Sequence, residues 1–459
     1  MHPHPASGSS RPSFWPRVRE FAVPPSLIET ATARRHAGDW AGACAAAGVD
    51  LDLDLRSVTR THGRELAARL RADLRRLAPD LLRWHLPRIA PDGLLRPGLT
   101  LTLARYGGDG TGPPHLVART PPAWADGGQR ISLALWDGTR REPADRRHPH
   151  PRPSRRFRLD LHRHLWDADR SGELRARSGA DRSATDGPHR VPDLLETVPE
   201  AHHCAVDRWA DEVAILLRAE GRTAGTVTMR FGARHRFALI LDPDADTLRI
   251  APEPTDGSAA ALPVLPDAAT WIPPDLELLR TGAIEAGRLH PLVAAALAPD
   301  RPRPDGSARA PDRAPGQPHL VDCQGARHRI GLVDGVLAPL DHDPAELRRE
   351  ELLVALTGTP LPCLQAIDEA HRRPDCLTGV RERLIHGDTA GALAVVEGLL
   401  GPDAVLRGGA LRDELEAAAE RRLAYGLFRA GLADPAPRTG RSYPGLEHPR
   451  SHRLRRNGR

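Results

Sequence analysis

Apolar residues recur at helical spacing through most of residues 343–432. The first stripe begins with Asp343 and Pro344, which suit a helix N-terminus, and it ends at Gly358, which suits a C-terminus. Further stripes follow as far as Phe428, and each is too short to form a stable helix alone. The pattern therefore predicts an all-helical C-terminal region whose helices pack on one another.

Three other stretches alternate apolar and polar residues, as half-buried strands do. They are 99–136, 225–251 and 319–342, and the last contains the hairpin signal Asp334-Gly335. Helical spacing separates them, in segments that we place at 26–37, 57–77, 158–176 and 205–220. Because helices and strands come in blocks and not in a βαβ alternation, the predicted fold class is α+β, with helical bundle or hairpin segments and small antiparallel β-meanders.

Two local patterns give more detail about the helices. Ser26-Leu27-Ile28-Glu29 matches a capping box and predicts a helix that starts at Ser26. A Gly-Asp pair followed by small residues occurs twice, at Gly38-Asp39 and at Gly387-Asp388. In both places the glycine would end one helix and the aspartate would cap the next, so the same helical hairpin is predicted twice.

Segments rich in arginine and proline divide the chain. The predicted order is a disordered N-terminus (1–22), an α+β module (23–137), an Arg/Pro-rich linker (138–158), a second α+β module (159–298), a linker (299–318), a β-meander (319–342), the helical region (343–432) and a basic disordered tail (433–459).

Composition narrows the chemistry. The 65 basic residues are all arginine, and the absence of lysine excludes a phosphate-loop lysine, a Schiff base and a Ser-x-x-Lys nucleophile. Asparagine occurs once, a bias typical of a GC-rich genome, so the net charge of +5 is weak evidence for a nucleic-acid partner. The five cysteines are scattered, which predicts reduced thiols in a cytoplasmic protein, and no apolar run is long enough to predict a signal peptide or a membrane span.

Candidate ligand clusters lack the spacing of known metal sites. His202-His203-Cys204 with Asp207, and the set Cys363, His371, Cys376 and His386, give no standard zinc pattern. Two segments, 167–174 and 242–253, match part of a calcium loop, but Ser178 and Thr247 stand where a glutamate and a glycine are needed. We therefore expect no metal and no cofactor, and assign no catalytic residue.

Two further patterns resemble catalytic ones. Ile385-His386-Gly387-Asp388 resembles the catalytic loop of aminoglycoside-phosphotransferase-like kinases, but Leu393 stands where that loop has asparagine, so a helix stop and cap is the preferred interpretation. Cys323 and His328 lie across a predicted hairpin turn, where a thiolate pair is the alternative to a packed cysteine.

In its Arg/Ala/Leu-rich style and its C-terminal helices, the chain resembles uncharacterised proteins of actinobacterial type, and that resemblance implies no activity. The leading hypothesis is a non-catalytic, cytoplasmic protein-interaction or adaptor protein that uses residues 343–432. One alternative is nucleic-acid binding through the arginine-rich segments 138–158 and 436–459. Another is a hydrolase or metal-dependent enzyme whose site is assembled by the fold from two or more of His202, His203, Cys204, Cys323, His328, His371 and Asp388.

Overall fold

The structure, a computed structural model, describes residues 14–432 except for 108–111, 139–147, 182–202, 232–234, 243–246, 255–257, 300–318, 324, 335, 358–360, 373–375 and 402–404. The fold is α+β with small antiparallel sheets and a helical C-terminal region, as the sequence pattern predicted. None of the helices in these ranges has the length and apolar character needed to cross a bilayer.

The described residues between 14 and 138 form five helices, a short hairpin and a four-stranded sheet. The helices are α1 (Trp15–Phe21), α2 (Pro25–His36), α3 (Trp40–Ala46), α4 (Leu55–Arg76) and α5 (Pro79–His85). The strands are β1 (Val49–Asp52), the short hairpin of β2 (Arg88–Ile89) and β3 (Leu94–Leu95), β4 (Thr100–Arg105), β5 (His115–Arg119) and β6 (Ile131–Trp136).

The antiparallel meander predicted within 99–136 forms β4, β5 and β6. The sheet has the order β1-β6-β5-β4, and β1 pairs parallel to β6, which the sequence pattern did not predict. Val49, Ile131 and Leu133 line the face that packs on the main core. Asp50 and Ser132 are register partners that alternate with them, so the opposite face of the sheet carries polar side chains, together with the apolar Val117 and Ala134.

The main core combines distant parts of the chain. Leu70, Leu74 and Trp84 belong to it, together with Leu276 and Val293. Leu276 lies on α9 (Pro274–Arg280) and Val293 lies on α10 (Pro291–Leu297). In the described residues between α5 and α9, the helices are α6 (Leu174–Ser178), α7 (Trp209–Ala219) and α8 (Asp267–Thr270).

A buried ion pair between Arg19 and Asp275 holds helix α1 on this core. The sequence pattern did not predict it. The guanidinium of Arg19 donates to both carboxylate oxygens of Asp275, at 2.7 and 3.0 Å, and to the carbonyl oxygen of Trp84. Residues 15–21 of the segment expected to be disordered therefore form an ordered helix.

A smaller core lies under the second meander. Strands β7 (Gly225–Phe231), β8 (His235–Asp242) and β9 (Thr247–Pro252) form the antiparallel sheet predicted at 225–251. Helix α7 packs on it through Trp209 and Val213, which confirms the amphipathic pattern read at 205–220.

Two helix predictions need correction. Residues 158–176 do not form one helix but short 3-10 turns followed by α6, because the Asp167 carboxylate accepts the Asp169 amide and starts a new turn. Helix α2 begins at Pro25, and no side chain caps its N-terminus. Proline presets the helical φ at the first turn, so Ser26 lies inside the helix and is not its cap.

The described residues between 319 and 432 form three strands and five helices. The strands are β10 (His319–Cys323), β11 (Ala326–Val333) and β12 (Val336–Pro339), in the antiparallel order predicted. The helices are α11 (Pro344–Thr357), α12 (Pro362–Arg372), α13 (Leu377–His386), α14 (Thr389–Leu400) and α15 (Ala410–Ala430).

The C-terminal helices dock on the face of the first sheet that carries Asp50. The Tyr425 hydroxyl of α15 donates to Asp50, and the Arg429 guanidinium donates to Asp52. The approach is close: a Cβ on Gly127 would lie 2.1 Å from the Arg421 carbonyl oxygen. The helical region therefore covers polar residues of the sheet, which contact α15 and are partly shielded from solvent.

The two Gly-Asp hairpins have the same local geometry. Asp39 accepts the Gly42 amide at 2.8 Å, and Asp388 accepts the Gly391 amide at 2.9 Å. Both glycines, Gly38 and Gly387, have positive φ, at +76° and +90°. The hairpins α2–α3 and α13–α14 confirm that one turn design is used twice.

Candidate metal centre

Four metal-ligating side chains converge between the third sheet and α12. Cys323 is the last residue of β10, His328 lies on β11, His342 follows β12, and Cys363 lies in the first turn of α12. One ligand atom of each lies within 4.8 Å of the ligand atom of every other. Among the described residues, this is the one group of this kind.

The local fold explains the convergence. The β10–β11 hairpin places His328 opposite Val321, two positions before Cys323, so the imidazole and the thiol lie on one face of the sheet. Helix α12 packs on that face through Ile367, in a small apolar core with Cys323 and Cys363. The metal-ligating atoms are thus held by two strands and a helix that share one core.

The two histidines are already oriented towards each other. Nδ1 of His328 and Nε2 of His342 share a hydrogen bond of 2.7 Å. The other nitrogen of His342, Nδ1, lies 3.7 Å from the Glu346 carboxylate. A carboxylate behind the second ring nitrogen is the usual partner that orients a metal-bound histidine.

Burial sets the state of the thiols. Cys323 and Cys363 are fully buried, His342 is 8% exposed, and His328 is partly buried. Burial and a hydrogen bond with Cys323 raise the pKa of Cys363 to about 12. Without a cation the Cys363 thiol therefore stays protonated, whereas a divalent cation would displace that proton and bind the thiolate.

The donor set selects the kind of metal. Two sulfur and two imidazole donors suit zinc or another soft first-row ion, and the absence of carboxylate oxygen from the group disfavours calcium and magnesium. In tetrahedral zinc sites with bonds of about 2.0–2.3 Å, ligand atoms lie about 3.3–3.8 Å apart. The four atoms are close enough to reach that arrangement by small side-chain movements.

The other residues of the sequence-derived cysteine and histidine sets do not join this group. His371 and His386 are buried in the helical region, and Cys376 precedes α13. Burial and the positive charges of Arg88 and Arg83 lower the pKa of His386 to about 3. The sequence set that paired Cys363 with these three residues thus contained one member of the group.

The cluster at 202–207 is not assembled as a metal site among the described residues. His202 lies outside the described ranges. Nδ1 of His203 lies 2.7 Å from the Glu277 carboxylate, and Cys204 is packed in the smaller core.

The two calcium-loop matches lead to no calcium site in the described ranges. Arg163 donates to the fully buried carboxylate of Asp167, which also caps a 3-10 turn, so an arginine occupies the position where a cation would bind. In the second match, Asp244 and Asp246 lie outside the described ranges.

The kinase-like tetrapeptide has a structural role. Asp388 caps α14 and accepts a hydrogen bond of 3.1 Å from Arg383. This agrees with the interpretation of a helix stop and cap.

Two surface clefts in the described part of the chain contain other residues. One lies between the first sheet and α15, beside Arg119 and Arg429, and the other lies beside Thr100 and His150. Neither is lined by the histidines, cysteines or Asp388 that the hydrolase alternative requires.

Comparison with known proteins adds no assignment: no family model matches the chain, and no curated protein or solved structure is significantly similar to it.

The sequence spacing indicated two of the four ligands as a pair, Cys323 and His328. The pair Cys323 and His328 was visible because both flank a hairpin turn. His342 was missed because it stands alone between two acidic residues. Cys363 lies 21 residues further along, and the sequence grouped it with the later residues His371, Cys376 and His386 instead. The pairing of β12 with β11 brings His342 to His328, and the packing of α12 on the sheet brings Cys363 to Cys323.

Proposed function

We propose that the chain is a zinc-binding protein in which Cys323, His328, His342 and Cys363 bind one ion. The observation that carries the proposal is the convergence of all four ligand atoms within 4.8 Å. Because the ligands come from β10, β11, the segment after β12 and α12, the ion would crosslink residues 319–372. Its main effect would be to stabilise this part of the fold.

A structural ion is favoured over a catalytic one. Catalytic zinc keeps an open position for water, and most such sites have three protein ligands. Here four protein ligands are available, both thiols are fully buried, and the clefts are lined by other residues. This supports a non-catalytic protein, as the sequence suggested, but argues against the expectation that no metal is bound.

The test is the metal content of the full chain purified without chelator. Elemental analysis should find about one zinc per chain, a stoichiometry that follows from four ligands around one ion. Cys363→Ser and His342→Ala should each lower zinc occupancy at least fivefold after dialysis. A chelator should lower the melting temperature of the wild-type chain and leave that of Cys363→Ser almost unchanged.

Matched controls are available in the same region. Cys376→Ser and His371→Gln change the same residue types outside the group, and both should retain zinc. Less than about 0.2 zinc per wild-type chain, at micromolar free zinc, would overturn the proposal. So would equal zinc loss in the ligand variants and the controls, since that would place the ion elsewhere.

A further inference from the structure

The exposed face of α4 carries a concentration of positive charge that the zinc proposal does not use. The helix contains seven arginines and two carboxylates, Glu65 and Asp73. The chain has 65 basic and 60 acidic residues, so removing the helix leaves 58 of each. The formal net charge of the whole chain, +5, is therefore equal to the formal net charge of this one helix.

The arginines are exposed, whereas one of the two carboxylates is not. All seven are exposed: Arg56, Arg60, Arg64, Arg69, Arg71, Arg75 and Arg76. Asp73 is buried and accepts hydrogen bonds from Tyr106 and Arg163. On the surface of α4, Glu65 is the remaining acidic side chain, so the exposed face is strongly cationic.

Few of these charges are neutralised within the molecule. Arg76 lies 3.6 Å from the carboxylate of Asp169, and Arg69 stacks on Tyr106. Across the described ranges, no carboxylate forms an ion pair with the other five. This contrasts with arginines such as Arg19, Arg163 and Arg177, which are bound to carboxylates.

The spacing forms a continuous stripe after the kink at Gly63. Arg64, Arg71 and Arg75 are seven and four residues apart, so they lie along one side of the helix. At 1.5 Å per residue the stripe is about 16 Å long. A duplex carries one phosphate charge per about 1.7 Å of its axis, so the stripe spans several phosphates.

We propose that the exposed face of α4 binds the phosphate backbone of duplex nucleic acid. The proposal is independent of the zinc site. A membrane surface fits less well, because an interfacial helix inserts apolar side chains, and Val58, Leu70 and Leu74 are buried in the protein core. Single strands fit less well, because stacking needs aromatic residues and α4 has none. Binding should be independent of base sequence.

The experiment is fluorescence anisotropy of a labelled 20-base-pair DNA duplex of mixed sequence with the full chain. Sodium chloride is varied from about 50 to 200 mM. The site variant combines Arg64→Gln, Arg71→Gln and Arg75→Gln. The control variant combines Arg348→Gln, Arg349→Gln and Arg422→Gln, which removes the same charge from exposed positions on α11 and α15. The arginines of 433–459 are present in all three proteins.

The site variant should bind the duplex at least tenfold more weakly than wild type at 100 mM salt. The slope of log K against log salt should decrease in magnitude by about 3, because each lost phosphate contact contributes about 0.9. The control variant should stay within about threefold of wild type, and all three proteins should have equal melting temperatures.

Three results would overturn the proposal. The first is no binding of the duplex by wild type at 50 mM salt. The second is equal loss in the site and control variants, which would indicate net charge alone. The third is binding of phosphatidylserine vesicles, lost in the site variant, without binding of the duplex, which would identify a membrane surface instead.

Discussion

The hydroxyl of Tyr425 donates a hydrogen bond to the carboxylate of Asp50, 375 residues earlier in the chain. Burial alone would raise the pKa of Asp50, but hydrogen bonds from Arg130 and Tyr425 bring it below its ordinary value. The last described helix and the first strand are thus joined by a partly buried polar contact, and the covered sheet face depends on it.

Removing this hydroxyl should destabilise the fold. Tyr425→Phe leaves the Asp50 carboxylate with Arg130 but without its second donor, so the free energy of unfolding should fall by about 1–2 kcal/mol. Urea denaturation measures the change. In a double-mutant cycle with Asp50→Asn, the coupling energy should be about 1 kcal/mol, and purely additive losses would contradict the contact.

The two Gly-Asp hairpins provide an internally matched pair of substitutions. Alanine at Gly38 or Gly387 should cost about 1 kcal/mol, because both glycines have positive φ. At Gly387 the new Cβ would also lie 2.2 Å from the Gly128 carbonyl oxygen, whereas at Gly38 nothing lies within 4 Å. Gly387→Ala should therefore lower the free energy of unfolding by at least about 2 kcal/mol more than Gly38→Ala. Equal losses in thermal or urea unfolding would show that α13 does not dock closely on Gly128.

Buried histidines should make the fold sensitive to acid. The pKa of His386 is lowered to about 3, and burial lowers the pKa of His85 to about 4. Between pH 6.5 and about 4 the unfolded chain binds protons that these folded-state imidazoles do not, so stability falls as pH falls. Each histidine should contribute up to about 1.4 kcal/mol per pH unit. His386→Gln should reduce the slope of stability against pH by about one proton, and an unchanged slope would contradict the assignment.

The sequence predicted those parts of the fold that depend on local periodicity. The three meanders and the helix of Trp209 and Val213 were correct because each buries one face within a single stretch of chain. Strand β1 was missed, since four residues carry little periodic signal and its partner β6 is about 80 residues away.

The candidate metal site could be predicted only in part, for a related reason. Cys323 and His328 are neighbours across a turn, and the pairing of β12 with β11 brings His342 to His328. Only Cys363 depends on the packing of α12 on the sheet. The predicted domain boundaries stay predictions. Nevertheless, packing in the main core joins Leu276 and Val293 to residues that precede the predicted linker at 138–158.

The contacts of Arg83 affect how the molecule unfolds. Its buried guanidinium donates to the carbonyl oxygens of Ala22, Gln129 and His386. Detaching any one of these segments would leave a charged group with an unmet donor in a dry interior. Partial opening at this point is therefore costly, and residues 14–136 and 377–430 should unfold in a single cooperative step. Hydrogen exchange should find the amides of α5 and α13 opening together at one common free energy.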